Sequence, residues 1–144
     1  MEGYPEFVLK SNYEMKNKIT VFYDGKCGLC RSEIEHYKRI APEGIFIWQD
    51  ITIDASLLEK LGISYVDGLK LLHAQDKNGK IHIGVEAFIL IWLQIPRWRI
   101  LAAFVNLPLI RPLANLAYNL FANWRFKRLS HCQTAMQSVN MHKK

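Results

Sequence analysis

Apolar positions early in the chain follow two different periods in succession. Ile19 to Tyr23 (ITVFY) is a β-branched and aromatic run halted by Asp24-Gly25, the profile of a strand. Directly after it, Cys27, Cys30, Ile34 and Tyr37 recur at helical spacing while Arg31, Glu33, Glu35 and Lys38 point elsewhere. That helix is expected to stop at Pro42 and Gly44. A second strand is predicted from Ile45 to Trp48.

A second helix is predicted to begin with Asp54 as N-cap, to carry Leu57, Leu58 and Leu61 on its apolar face, and to end at Gly62. The segment from Gly68 to Val85 predicts a hairpin of two short strands around Asn78-Gly79. After Gly84 a mostly apolar helix runs up to Pro96, followed by helical stretches near residues 98–105 and 109–128. The predicted order is β-α-β-α-β-β-α and then helices. A strand–helix–strand opening implies parallel pairing through a right-handed crossover, and the hairpin adds antiparallel strands. The expected fold is therefore α+β, a thioredoxin-like mixed sheet with flanking helices and a helical, basic C-terminal extension. Residues 1–17 are expected to be a loose N-terminal arm, 18–130 the domain with its C-terminal helices, and 131–144 a flexible tail.

Composition narrows the class. The chain has 144 residues, half of them hydrophobic and 22% charged, which suits one globular domain rather than a disordered chain. No charge-free run approaches the roughly 20 residues of a membrane span, and the N-terminus lacks an apolar signal core, so a soluble, cytoplasmic protein is expected. Three cysteines are too few for a disulfide scaffold and suit a reducing compartment. The net charge of +6 is unevenly spread: no acidic residue follows Glu86, whereas eight Lys or Arg do. That half would suit an anionic membrane surface or an acidic partner, or its basic side is simply solvated.

The chemistry concentrates at Cys27 and Cys30. A thiolate attacks disulfides, and the free N–H groups at a helix N-terminus favour an anion there. Cys27 is expected at that N-terminus with its thiol turned outward, as the nucleophile, and Cys30 one turn further in, as the resolving thiol. Gly28 would admit a partner backbone and Leu29 would offer it an apolar contact. Lys26 and Arg31 would favour the thiolate, and Asp24 would oppose it unless it accepts a proton from a buried Cys30. Two alternatives stand beside this one: half of a zinc site, completed by His131 and Cys132, or two small buried residues.

The stretch YDGKCGLC resembles the Asp-x-x-Cys-x-x-Cys signature of the DCC family of predicted thiol-disulfide oxidoreductases, through Asp24, Cys27 and Cys30. GVEAFILIWLQIP and YNLFANWRFKRLS are similar to that family's later segments, so the resemblance spans about residues 18–130. It implies a thioredoxin-like fold and dithiol–disulfide exchange, with a protein or small-molecule disulfide as substrate and no bound cofactor. Where thioredoxins place a cis-proline, this chain has Val66-Asp67, which predicts a trans peptide and an altered groove, with Asp67 as a second carboxylate near the thiols.

Other candidates are weaker. His36 is expected on the surface, His73 and His82 on facing arms of the hairpin, and Cys132 as a bystander. Leu113, Leu116, Leu120 and Trp124 share a helix face, which predicts packing against a core or a membrane rather than stacking on nucleic acid. A non-enzymatic adaptor that docks through its basic C-terminal helices is the competing functional reading.

Overall fold

The computed structural model describes residues 17–142, so the expected N-terminal arm lies outside the described residues except for Asn17. Four strands form one sheet: β1 (Ile19–Tyr23), β2 (Phe46–Asp50), β3 (His73–Gln75) and β4 (Ile81–Ile83). Their spatial order is β2-β1-β3-β4, with β1 parallel to β2 and antiparallel to β3, and β3 antiparallel to β4. The hairpin closes at Asp76, whose Oδ1 accepts from the backbone N–H groups of Asn78 and Lys80, while Gly79 takes the left-handed φ of 88° that the turn needs.

Strand β1 is the central element, and every one of its residues is buried. Its alternation sends Ile19, Val21 and Tyr23 to one face, where α1 (Gly28–Ile40) contributes Ile34 and Tyr37 and α4 (Val85–Leu93) contributes Ala87 and Ile91. Phe22 points to the other face, against Leu58 of α2 (Ser56–Lys60) and Val66 and Leu69 of α3 (Tyr65–Lys70). Phe126 of α6 (Ile110–Arg128) and Cys132 of α7 (Ser130–His142) complete that layer. A 3₁₀ turn (Pro96–Trp98) and α5 (Arg99–Val105) link the two sides, Ala102 packing against Val85 and Ile89. The result is the thioredoxin-like α+β arrangement, a mixed sheet with helices on both faces.

Two elements depart from the expectation, and a third lacks one of its two expected partners. The segment from Ser64 to Lys70 is a short helix, α3, started by Ser64, whose Oγ accepts from the Asp67 N–H. Residues 131–142, expected to fall within a flexible tail, form helix α7 together with Ser130, anchored by the fully buried Cys132. The Leu113, Leu116, Leu120 and Trp124 face of α6 does not pack on the core; Leu113 is 64% exposed and Leu120 is 62% exposed. The inward face of α6 lies one position along, through Ala114, Tyr118, Ala122 and Arg125-Phe126. Small alanines there let the helix approach closely, and Tyr118 reaches across to accept from the Leu72 N–H at 3.0 Å. Among the described residues no single helix is long and apolar enough to cross a membrane; the bent pair Pro96–Val105 and Ile110–Arg128 passes by length and composition alone.

Candidate active site

The loop between β1 and α1 is held from below by Asp50, at the end of β2. Its Oδ1 accepts from the Gly25 N–H at 3.1 Å and from the Thr52 N–H and hydroxyl. The carboxylate lies where a Cβ on Gly25 would stand, within 1.7 Å, so only glycine lets the loop sit this low. The Cys27 N–H then donates to the Asp24 carbonyl, and the chain turns into α1.

Cys27 is the N-cap of that helix. Its backbone is extended (φ −83°, ψ 115°), and its Sγ accepts from the Cys30 N–H at 3.3 Å, as an N-cap acceptor does. The expectation of an outward thiol fails, because Cys27 is only 3% exposed. The physical reason is the cap itself: to reach the Cys30 N–H the sulfur must fold back over the helix end. Cys30 is half-buried, and its thiol is pushed far up by burial and by its hydrogen bond to Cys27, with the Arg125 charge acting in the opposite direction. Leu29 is exposed, and the position of a Cβ on Gly28 is open space.

Asp24 is buried, and its oxygens are saturated by cationic and N–H donors. His131 Nε2 lies 2.7 and 2.9 Å from them, the Lys26 N–H donates at 3.0 Å, and Arg125 Nη1 stands at 3.5 Å. Its thiol neighbour is Cys132, with Sγ at 3.7 Å, and Cys30 is not among its hydrogen-bond partners. Direct proton transfer from Cys30 to Asp24 is therefore not the arrangement here. A carboxylate this deep needs charged or hydrogen-bonding partners, and α6 supplies Arg125 while α7 supplies His131 and Cys132.

Arg125 joins the carboxylate to the dithiol. It is buried, and its Nη2 donates to the carbonyls of Leu69 (2.6 Å) and Lys70 (3.0 Å), which are free acceptors at the end of α3. Burial opposes its charge, but the sulfurs of Cys30 and Cys27 outweigh that and hold its pKa above the ordinary guanidinium value. Arg125, His131 and Cys132 are site residues that no local pattern in the sequence assigns to the dithiol. Arg125 lies inside the segment YNLFANWRFKRLS, and the sequence offers His131-Cys132 as a zinc pair or Cys132 as a bystander. Neither signal shows that α6 and α7 fold back onto the β1–α1 loop. Cys132 is no bystander: burial, and then the Asp24 carboxylate, push its thiol up to about 12.

The remaining candidates lie elsewhere. Asp67 is exposed in the first turn of α3, so the expected second carboxylate does not join the thiols. The described residues contain no cis peptide. His73 and His82 are not opposite one another: His73 pairs with Ile83 in the register, and its Nδ1 lies 2.9 Å from the Leu71 carbonyl. His82 pairs with Asp76 at 2.9 Å, and His36 is exposed beside Trp98. Beside Cys30 opens a small, mostly apolar pocket lined by Leu29, Leu72, Phe88, Tyr118, Phe121 and Arg125. Among the described residues, those with metal-binding donors in mutual reach are Asp24, His131 and Cys132, whose donor atoms all lie within 4.8 Å of one another.

An uncharacterized protein of Arabidopsis thaliana, described as chloroplastic, is 29% identical over 112 residues, covering 76% of this chain and 52% of the relative. The chain thus spans about half the length of that relative. No solved structure matches it. The profile of the DCC1-like thiol-disulfide oxidoreductases matches residues 21–131, from within β1 to His131 at the start of α7. With its Asp-x-x-Cys-x-x-Cys motif at a strand–helix junction of a thioredoxin-like sheet, the chain belongs to the DCC1-like thiol-disulfide oxidoreductase family.

Proposed function

We propose that the chain exchanges its Cys27/Cys30 dithiol with a substrate disulfide, with Cys27 as the attacking sulfur. The observation that carries this is the Cys27 Sγ at the N-cap of α1, accepting the Cys30 N–H and lying beside the buried Arg125. Cys27 Sγ thus stands among the N–H donors at the end of the helix, whereas burial holds Cys30 as the thiol. The Cys27 thiolate attacks one sulfur of the substrate, the substrate S–S bond breaks, and the other sulfur leaves as a thiolate. Cys30 then loses its proton to solvent and attacks the Cys27 sulfur. That step forms the Cys27–Cys30 disulfide and expels the second substrate thiolate, so two electrons have passed to the substrate. An external dithiol returns the pair to its reduced state, as a cytoplasmic setting would supply.

Access to Cys27 lies past exposed Leu29 and the open side of Gly28, so a slender, extended segment is the substrate shape favoured. The apolar pocket beside Cys30 suits an apolar side chain flanking the substrate cysteine. Asp24 acts through Arg125, holding it beside the sulfurs. The test is reduction of a model disulfide by wild type, Cys27→Ser and Cys30→Ser. Wild-type turnover, none in Cys27→Ser, and a trapped mixed disulfide on Cys27 in Cys30→Ser are expected. Turnover in Cys27→Ser equal to wild type sinks the assignment.

A second reading is favoured by the unpacked face of α6. Ile100 and Phe104 of α5, Leu109 beside α6, and Leu113, Leu116 and Leu120 are exposed in a half of the chain without acidic residues. An anionic membrane surface matches both its apolar and its basic character. Co-sedimentation with anionic and with neutral vesicles tests this. Salt-sensitive binding to the anionic vesicles is expected, and its absence removes the reading.

A further inference from the structure

We infer that Asp24, His131 and Cys132 form a zinc site that fastens α7 to the β1–α1 loop, separate from the Cys27/Cys30 pair. The donor triangle has sides of 2.7 Å (His131 Nε2 to Asp24 Oδ2), 3.6 Å (Cys132 Sγ to His131 Nε2) and 3.7 Å (Cys132 Sγ to Asp24 Oδ2). Tetrahedral zinc, with bonds of about 2.3 Å to sulfur and about 2.0–2.1 Å to nitrogen and oxygen, places its ligands about 3.3–3.6 Å apart. The two sulfur edges already have that length. The third opens by about 0.6 Å when a cation replaces the hydrogen bond between His131 and Asp24. Adjacent residues serve one site here because both open a helix whose first turn faces Asp24.

Charge and chemistry agree. The Asp24 carboxylate and the Cys132 thiolate, its proton lost to solvent, supply two negative charges against the two positive charges of the ion, with imidazole as the neutral third ligand. Arg125 directs its Nη2 at the carbonyls of Leu69 and Lys70, while its Nη1, 3.5 Å from Asp24 Oδ2, stays a partner of the carboxylate and not a ligand. A sulfur–nitrogen–oxygen set rejects magnesium and calcium, which take oxygen ligands. Cys132 and Asp24 are buried, whereas His131 is part-exposed at a surface depression lined by Lys26, Ser64, Tyr65, Val66 and Thr134, which gives the ion its way in. Three protein ligands leave a fourth position for water or an outside thiol.

The test uses the reduced full chain carrying Cys27→Ser and Cys30→Ser, in which Cys132 is the sole remaining cysteine. Titration with zinc against a chromophoric chelator is expected to give one ion per chain. Titration with cobalt(II) is expected to give a thiolate charge-transfer band and tetrahedral ligand-field bands. Adding His131→Ala is expected to weaken binding about tenfold or more, and adding Cys132→Ser to abolish the charge-transfer band. Zinc is expected to raise the Tm of the double variant but not of the form that also carries Cys132→Ser. If the Cys132 variant does not fold, the cobalt band of the double variant decides alone, because only Cys132 can give it. Absence of that band, unchanged affinity in His131→Ala, or zinc binding only with Cys27 and Cys30 intact overturns the inference. None of these outcomes depends on disulfide exchange.

Discussion

At the scale of single residues, the site is an exercise in keeping buried charge paired. Asp24 and Arg125 are both buried and face each other, and each has further partners that no local pattern announces. Removing one of such a pair strands the other, at a cost of about 3–5 kcal/mol. Arg125→Met is therefore expected to lose about that much stability in urea denaturation. The double variant with Asp24→Asn is expected to be more stable than the sum of the two single losses, and a strictly additive cycle would show that the pair is not coupled. His73 poses the opposite case, a buried group kept neutral. Burial depresses its pKa, partly opposed by the Leu71 carbonyl and the Asp67 charge. The unfolded chain takes up this proton first, near the ordinary histidine value of about 6.5. The stability it contributes is therefore present above that pH and lost as pH falls toward the depressed folded value. His73→Gln is expected to flatten the fall of Tm between about pH 7 and pH 5, and an unchanged slope would remove His73 as its source.

At the scale of elements, glycines show how tightly the short helices are laid against the sheet. A Cβ on Gly68 of α3 would stand 2.6 Å from Leu58 Cδ2 and 2.9 Å from Ile51 Cδ1, two side chains locked in the core. Gly68→Ala is expected to destabilise the protein by about 1–3 kcal/mol through overpacking. Gly28→Ala, which meets open space in the first turn of α1, is expected to be neutral or to stabilise by up to about 1 kcal/mol. Equal melting temperatures for the two variants would contradict the packing of α3. Helix α3 itself shows where local pattern falls short. Six residues hold too few turns to display a period, and Gly68 lowers helix propensity. What stabilises α3 is its contact with Leu58 and Phe22 below and Arg125 on its final carbonyls. The strand β1, the helix α1, the parallel βαβ unit and the hairpin were legible because each carries its own signal. Those signals are a β-branched run, a helical period, a crossover of helical length and an Asn-Gly turn.

At the scale of the whole molecule, the C-terminal half does two things. One face of α6, with α7, completes the site through Arg125, His131 and Cys132. The opposite face of α6 is left apolar and uncovered. Because that face has no packing partner among the described residues, changing it is expected to spare stability. The triple variant Leu113→Gln, Leu116→Gln, Leu120→Gln should keep its Tm, each change lying within about 0.5 kcal/mol of neutral, while losing co-sedimentation with anionic vesicles. A triple variant that unfolds would show the stripe to be core after all. A folded one that still binds vesicles would point to the arginines alone.

The sequence by itself determined the architecture around β1 and the position of the Asp24, Cys27 and Cys30 motif. Those depend on periodicity and on residues near one another in the chain. It also determined that α6 has an apolar stripe, but not whether anything covers it. Only the tertiary structure decided that Cys27 folds inward over the end of α1, because the orientation of a cap is set in space and not by spacing. Only the tertiary structure, likewise, brought Arg125, His131 and Cys132 to Asp24, across 101 to 108 positions of chain. A buried carboxylate demands partners, but the sequence does not say which distant segment will supply them.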